Sequence, residues 1–136
     1  MAIRDAGLCK VIYGIGVDVL EPGRVSRLLE SYGERFARRV LTPDEWPSYE
    51  RSRRPVLFLA NRFAAKEAFS KAMGTGFRYP VTLGQISVLQ NRRGKPELFY
   101  RPDLQRLVES EGIAGSHVTI SDEQSVVCAV VVLERR

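Results

Sequence analysis

The run Ile12-Tyr13-Gly14-Ile15-Gly16-Val17-Asp18-Val19 is apolar, β-branched and punctuated by glycine. It suits a strand that another stretch of backbone approaches closely at Gly14 and Gly16. An acid inside such a run is costly to bury unless it is paired or binds a metal. Asp18 therefore either caps the helix that follows or belongs to a charged site.

A second constraint lies in Arg62 to Gly76. Ala, Lys, Glu and Met favour helix, and Gly74 is the usual residue for a left-handed C-terminal position. Glu67 and Lys71, four apart, project from one helix face. Alone they read equally well as an exposed ion pair. Together with Asp18 they offer two hard oxygen ligands and an ammonium. Magnesium takes one or two carboxylates and fills its shell with water and phosphate oxygens.

Four segments occur in a fixed order: Gly14-Ile15-Gly16-Val17-Asp18-Val19-Leu20-Glu21, the helix Arg62 to Gly76, Gly94-Lys95-Pro96, and His117-Val118-Thr119-Ile120-Ser121. The series resembles that of the holo-acyl-carrier-protein synthases, over nearly the whole chain from about Val11. The resemblance implies a 4'-phosphopantetheinyl transferase-like α+β fold, with helices packed on a small, mainly antiparallel sheet. It implies magnesium-dependent transfer of 4'-phosphopantetheine from coenzyme A to a serine of apo acyl carrier protein, for fatty acid biosynthesis. Adenosine 3',5'-bisphosphate is the implied leaving group. It further implies a homotrimer with sites between subunits.

Carried over residue by residue, the pattern makes Asp18 and Glu67 the metal ligands, and one of them takes the serine proton. Lys71, one turn from Glu67, offsets charge on the leaving phosphate. Arg62, Gly74, Lys95, Pro96 and His117 become coenzyme A contacts. Each has a plainer reading: Arg62 a surface arginine off the Glu67–Lys71 face, Gly74 and Gly76 a helix-ending turn, Gly94-Lys95-Pro96 an ordinary hairpin, and His117, the one histidine, a strand-start residue. Ser70 reads as structural. Arg24, Arg27, Arg35, Arg38 and Arg39 surround Leu28 and Phe36, a basic rim about a small apolar contact that suits an acidic carrier protein. The alternative is a solvated helical face.

The charge of +5 carries little further information. Of 21 basic residues 17 are arginine, which favours bidentate contacts to phosphate and carboxylate. A small RNA-binding module would share that charge, yet the chain lacks the aromatic-basic strand motifs that stack bases, so no nucleic-acid partner is expected. A related transferase acting on the carrier domains of large synthases is the other rival, but such enzymes are commonly about twice this length. No apolar run approaches the roughly 18 residues of a membrane span. Residues 1–10 read as an extension ahead of a single domain, 11–136. They carry Arg4, Asp5 and Lys10 and lack a signal peptide's apolar core, so a cytoplasmic location is expected. Cys9 and Cys128 make no disulfide framework, and Cys128 reads as a buried small hydrophobe.

Local pattern supplies the remaining elements. Pro22 opens a helix whose Val25, Leu28, Leu29 and Tyr32 form an inward stripe, ended by Gly33. Arg35 to Leu41 is a short helix, and Thr42-Pro43-Asp44-Glu45 is a capping box that starts another at Pro43. The long helix runs from Val56 to Met73, and residues 81–100 form a hairpin about Asn91 to Pro96. Asp103 to Glu111 is a helix. His117 to Ser121 and Ser125 to Leu133 pair about Asp122-Glu123-Gln124.

Overall fold

The glycine-punctuated run forms β1 (Ile12–Leu20), an edge strand whose inner face lies directly on the backbone of the long helix. A computed structural model describes residues 11–136. The proposed extension and Cys9 lie outside the described residues. After β1 come α1 (Pro22–Tyr32), α2 (Glu34–Val40), α3 (Trp46–Arg51), α4 (Pro55–Met73), β2 (Ile86–Gln90), β3 (Pro96–Tyr100), α5 (Pro102–Ser110), β4 (Ile113–Asp122) and β5 (Val127–Arg135). Helices and antiparallel strands make the α+β architecture expected.

One antiparallel sheet has the order β1-β5-β4; β2 and β3 form a separate hairpin. On central β5, Val127, Ala129, Val131 and Leu133 are buried against α4. Strand alternation puts Gly14, Gly16, Asp18 and Leu20 of β1 on that same side. A Cβ on Gly16 would lie 1.8 Å from the Ala68 carbonyl oxygen, and one on Gly14 1.9 Å from that of Ala72. The glycines thus serve the contact anticipated from the sequence. They bring β1 and α4 so close that residues on the two elements share one site.

The other side of the sheet is bare. Ile15, Val17 and Val19 are 63%, 49% and 63% exposed. The register sets them beside Val132, Val130 and Cys128, and those beside His117, Thr119 and Ser121. Cys128 is thus half-buried on this outer side, not enclosed in the core as its apolar neighbours suggested.

Three further expectations change. The Thr42–Glu45 segment forms a turn, and helix begins only at Trp46. Glu45 does accept the Thr42 N–H at 2.8 Å, as a capping box requires, but its carboxylate also serves Val88 and Lys66 in the interior. The α1 stripe splits: Val25 is buried and Leu29 packs on the core, whereas Leu28 and Tyr32 stay 40% and 60% exposed. β4 begins four residues before His117, because Ile113 to Ser116 already pair with β5.

Candidate active site

Asp18, on the inner side of β1, comes together with two residues of α4. Lys71 Nζ donates to Asp18 Oδ1 at 3.3 Å and to the Val17 carbonyl at 3.0 Å. The plain alternative, an i, i+4 ion pair between Glu67 and Lys71, gives way to this cross-element contact. Burial raises the Glu67 carboxyl above its ordinary range, the negative charge of Asp18 raises it further, and Lys71 and Arg24 oppose the shift. Two carboxylates that repel one another beside an ammonium form a site open to a cation and to phosphate oxygens. Among the described residues no group of three or more His, Cys, Asp and Glu could hold a metal. A metal here would keep several positions for water or substrate oxygens, as magnesium does. Asp18 caps no helix, and Ser70 donates to the Glu67 carbonyl at 2.7 Å, a structural role as expected.

The other candidates are spread more widely. Arg62 is buried, its guanidinium carbon 3.9 Å from the centre of the Phe58 ring, which contradicts a surface reading. Burial pushes its pKa down, and Glu45 partly offsets this. Its Nε, like Asn61 Oδ1, is buried without a hydrogen-bond partner. Both line an open cleft of about 670 Å³ with Arg51, Arg54, Phe58 and Gln90. Five residues separate Arg62 from Glu67, a rise of about 7.5 Å along the helix. Gly74 is the left-handed cap of α4 (φ 77°), with nothing near its missing side chain. Lys95 and Pro96 lie at the β2–β3 turn. His117 Nε2 is 3.4 Å from Glu134 Oε2. Through the register His117 shares the outer side of the sheet with Ile15, opposite Asp18. Within one chain, therefore, His117 and Asp18 project away from each other.

Of the arginine cluster, Arg35 and Arg39 meet Leu28 and Phe36 in a groove of about 840 Å³ that also takes in Tyr32, Arg38, Val40, Phe63 and Leu83. Arg27 does not line it, and Arg24 lies instead where its charge reaches Glu67.

Residues 14–131 match the family described as the 4'-phosphopantetheinyl transferase superfamily. The chain belongs to that superfamily. Among similar members, holo-[acyl-carrier-protein] synthase of Nitrosospira multiformis is 55% identical over 125 residues, covering 92% of this chain and all of that protein. The crystal structure of the Neisseria meningitidis holo-[acyl-carrier-protein] synthase superposes with a TM-score of 0.89 at 45% identity, covering 91% of this chain and 99% of that one. The Bacillus anthracis enzyme, solved in complex with CoA (3',5'-ADP), gives 0.77 at 35% identity, covering 93% and 99%. The antiparallel sheet with its long helix is thus the architecture of phosphopantetheinyl transferases. Among the described residues no helix is long and apolar enough to cross a membrane.

Several residues that shape this transferase's surface escaped the sequence reading. Phe63 and Tyr32 wall the groove, and Arg51 and Arg54 line the basic cleft. Lys66, beside Glu67, is fully buried against Glu45. Its signal was the spacing Arg62, Lys66, Ser70 along one helix face apart from Glu67 and Lys71, a polar stripe that the fold buries.

Proposed function

We propose that this chain transfers the 4'-phosphopantetheine group from coenzyme A to a serine of apo acyl carrier protein, releasing adenosine 3',5'-bisphosphate. The observation that carries the reading is the meeting of Asp18, Glu67 and Lys71 in a chain 55% identical to a holo-[acyl-carrier-protein] synthase along that protein's full length. In the reaction the serine Oγ bonds to the β-phosphorus of coenzyme A. The bond from phosphorus to the oxygen of adenosine 3',5'-bisphosphate breaks, and the serine proton must leave. We assign Glu67, one of the two carboxylates beside Lys71, as the group that accepts that proton. Lys71 sets positive charge where the leaving phosphate gains negative charge. Asp18 and Glu67 are the ligands we assign to magnesium, which when bound stabilises charge on the pyrophosphate as a Lewis acid.

Arg62 is assigned to the phosphates of coenzyme A, supported by its unpaired Nε in a cleft lined by Arg51 and Arg54. Gly74, Lys95, Pro96 and His117 complete the cofactor contacts. Because His117 and Asp18 project from opposite sides of the sheet, His117 serves the site of a neighbouring subunit. The bare apolar strip of Ile15, Val17 and Val19 supports a homo-oligomer through this face. The number three comes from the family resemblance. An active preparation that scatters light as a monomer would end this part of the reading. The cytoplasm is the location we assign, with the carrier protein.

Purified protein with coenzyme A and magnesium should add about 340 Da to an apo acyl carrier protein, the mass of one covalent phosphopantetheine group. An unmodified carrier, with the protein folded and all components present, refutes the function. Arg24, Arg27, Leu28, Arg35, Phe36 and Arg39 form the carrier-docking face, and the groove unites the last four of them. Arg24 lies where its charge reaches Glu67. Charge reversal at Arg24 should raise KM for the carrier far more than KM for coenzyme A, and salt should shrink the difference. If Arg24→Glu weakens coenzyme A binding instead, the residue belongs to the cofactor.

A further inference from the structure

Lys66 and Glu45 form an ion pair with neither side chain exposed, Nζ lying 2.6 Å from Oε1. The ammonium has three protons and three acceptors: Glu45, the Val40 carbonyl at 2.6 Å and the Leu83 carbonyl at 3.1 Å. Glu45 in turn accepts the backbone N–H of Thr42 at 2.8 Å and of Val88 at 2.9 Å. Five separate stretches thus meet at one point: the end of α2, the turn after it, the segment leading into β2, β2 itself, and α4.

A buried pair of this kind adds little stability over well-packed apolar residues of the same size, so stability is a weak reason for it. It does supply direction. Around Lys66, α4 packs through the small side chains Ala60, Ala64, Ala65 and Ala68, with Leu59 and Phe69 fully buried to either side. Charge-assisted hydrogen bonds to fixed carbonyls add a directional constraint on the helix's rotation about its axis. Val40 and Leu83, whose carbonyls Lys66 holds, are walls of the arginine-rimmed groove. Glu67 is the next residue, about 100° round the helix.

We infer that the Lys66–Glu45 pair is a positioning device that fixes the walls of the carrier groove relative to Glu67, so that a carrier seated in the groove presents its serine to the carboxylates. This rests on the transferase reading above. Neither residue touches substrate; both act through Val40, Leu83 and Glu67.

The test is the double variant Glu45→Met with Lys66→Met, which removes both charges at nearly constant volume. Its melting temperature should fall, because the Thr42 and Val88 N–H groups and the Val40 and Leu83 carbonyls lose their partners. Its kcat should fall by about 10- to 100-fold, the consequence of a displacement on the order of 1 Å. KM for the carrier should rise by more than KM for coenzyme A, whose Arg62 contact lies one turn back on α4 and loses only the charge of Glu45. A folded double variant with wild-type kcat and carrier KM overturns the inference. So does a loss that appears equally in the coenzyme A KM, which would mean general loosening. If the double variant does not fold, Glu45→Gln, which keeps one acceptor oxygen, for Thr42 or for Val88 but not for both, should give the same split at smaller amplitude; wild-type kinetics there overturn the inference too. Wild-type protein run alongside reports on the transferase reading itself: no modified carrier would remove that reading and this inference with it.

Discussion

Glu67→Gln should give a folded chain that is more heat-stable than the wild type without magnesium, yet slower in transfer by roughly 10²- to 10⁴-fold, the range of a general base. The amide keeps the shape of the side chain but loses both the charged ligand and the proton acceptor. The stability gain follows from the raised Glu67 carboxyl, held up by burial and by Asp18. A carboxyl raised in the folded state holds its proton more tightly there than in the unfolded chain. Stability therefore falls as pH climbs from the ordinary glutamate value through the raised one, and the penalty is complete above it. Glutamine carries no such penalty. In chelator, the two melting curves should coincide at acid pH and separate toward neutrality, with the variant the higher of the two. Magnesium should then stabilise the wild type more than the variant. Asp18→Asn should lose a comparable share of activity, with folding intact. Near-normal transfer by either variant, with magnesium tightly controlled, removes that residue from the site.

Gly16→Ala should be the most damaging single methyl group in the chain. Its Cβ would stand 1.8 Å from the Ala68 carbonyl oxygen and 2.7 Å from the Ala72 nitrogen, both backbone atoms of α4. No flexible side chain can give way, so β1 and α4 must separate. The effect should reach or exceed the upper end of the roughly 1–3 kcal/mol that overpacking costs. That corresponds to a fall in Tm of about 10 °C or more for a domain of this size. Gly23→Ala is the matched control. Gly23 lies in α1 with only the Arg27 guanidinium 3.8 Å from the position of a new Cβ, so alanine should be neutral or slightly stabilising. Equal melting temperatures for the two variants would refute the close contact.

These two glycines also mark how far sequence reasoning reaches. The need for close approach at Gly14 and Gly16 was legible because a missing side chain is a local fact. The same holds for the helix ended by Gly74 and for the β2–β3 hairpin, which periodicity and turn chemistry define within a few residues. Asp18, Glu67 and Lys71 were legible as chemistry, yet not as geometry: Lys71 turns from its helical neighbour to Asp18, 53 positions away. Arg62 and Lys66 were the opposite case. A charged residue reads as solvent-facing by default. Only the tertiary structure supplies the Phe58 ring for one and Glu45 for the other. The α1 stripe failed for a related reason: Leu28 and Tyr32 have core-type spacing, but the element facing them leaves an open groove.

The two-sided sheet has a consequence for how such a chain works at different abundances. Asp18 and His117 leave β1 and β4 in opposite directions, so folding alone does not complete the site we propose. Completion is a second-order event, set by how often one copy meets another. With sites shared in this way, a dilute solution holds chains that are folded, keep their carboxylates and lack a histidine contact. Output per molecule then rises with concentration until assembly saturates, and the exposed Ile15–Val17–Val19 strip becomes as much a determinant of turnover as the acids on its reverse side.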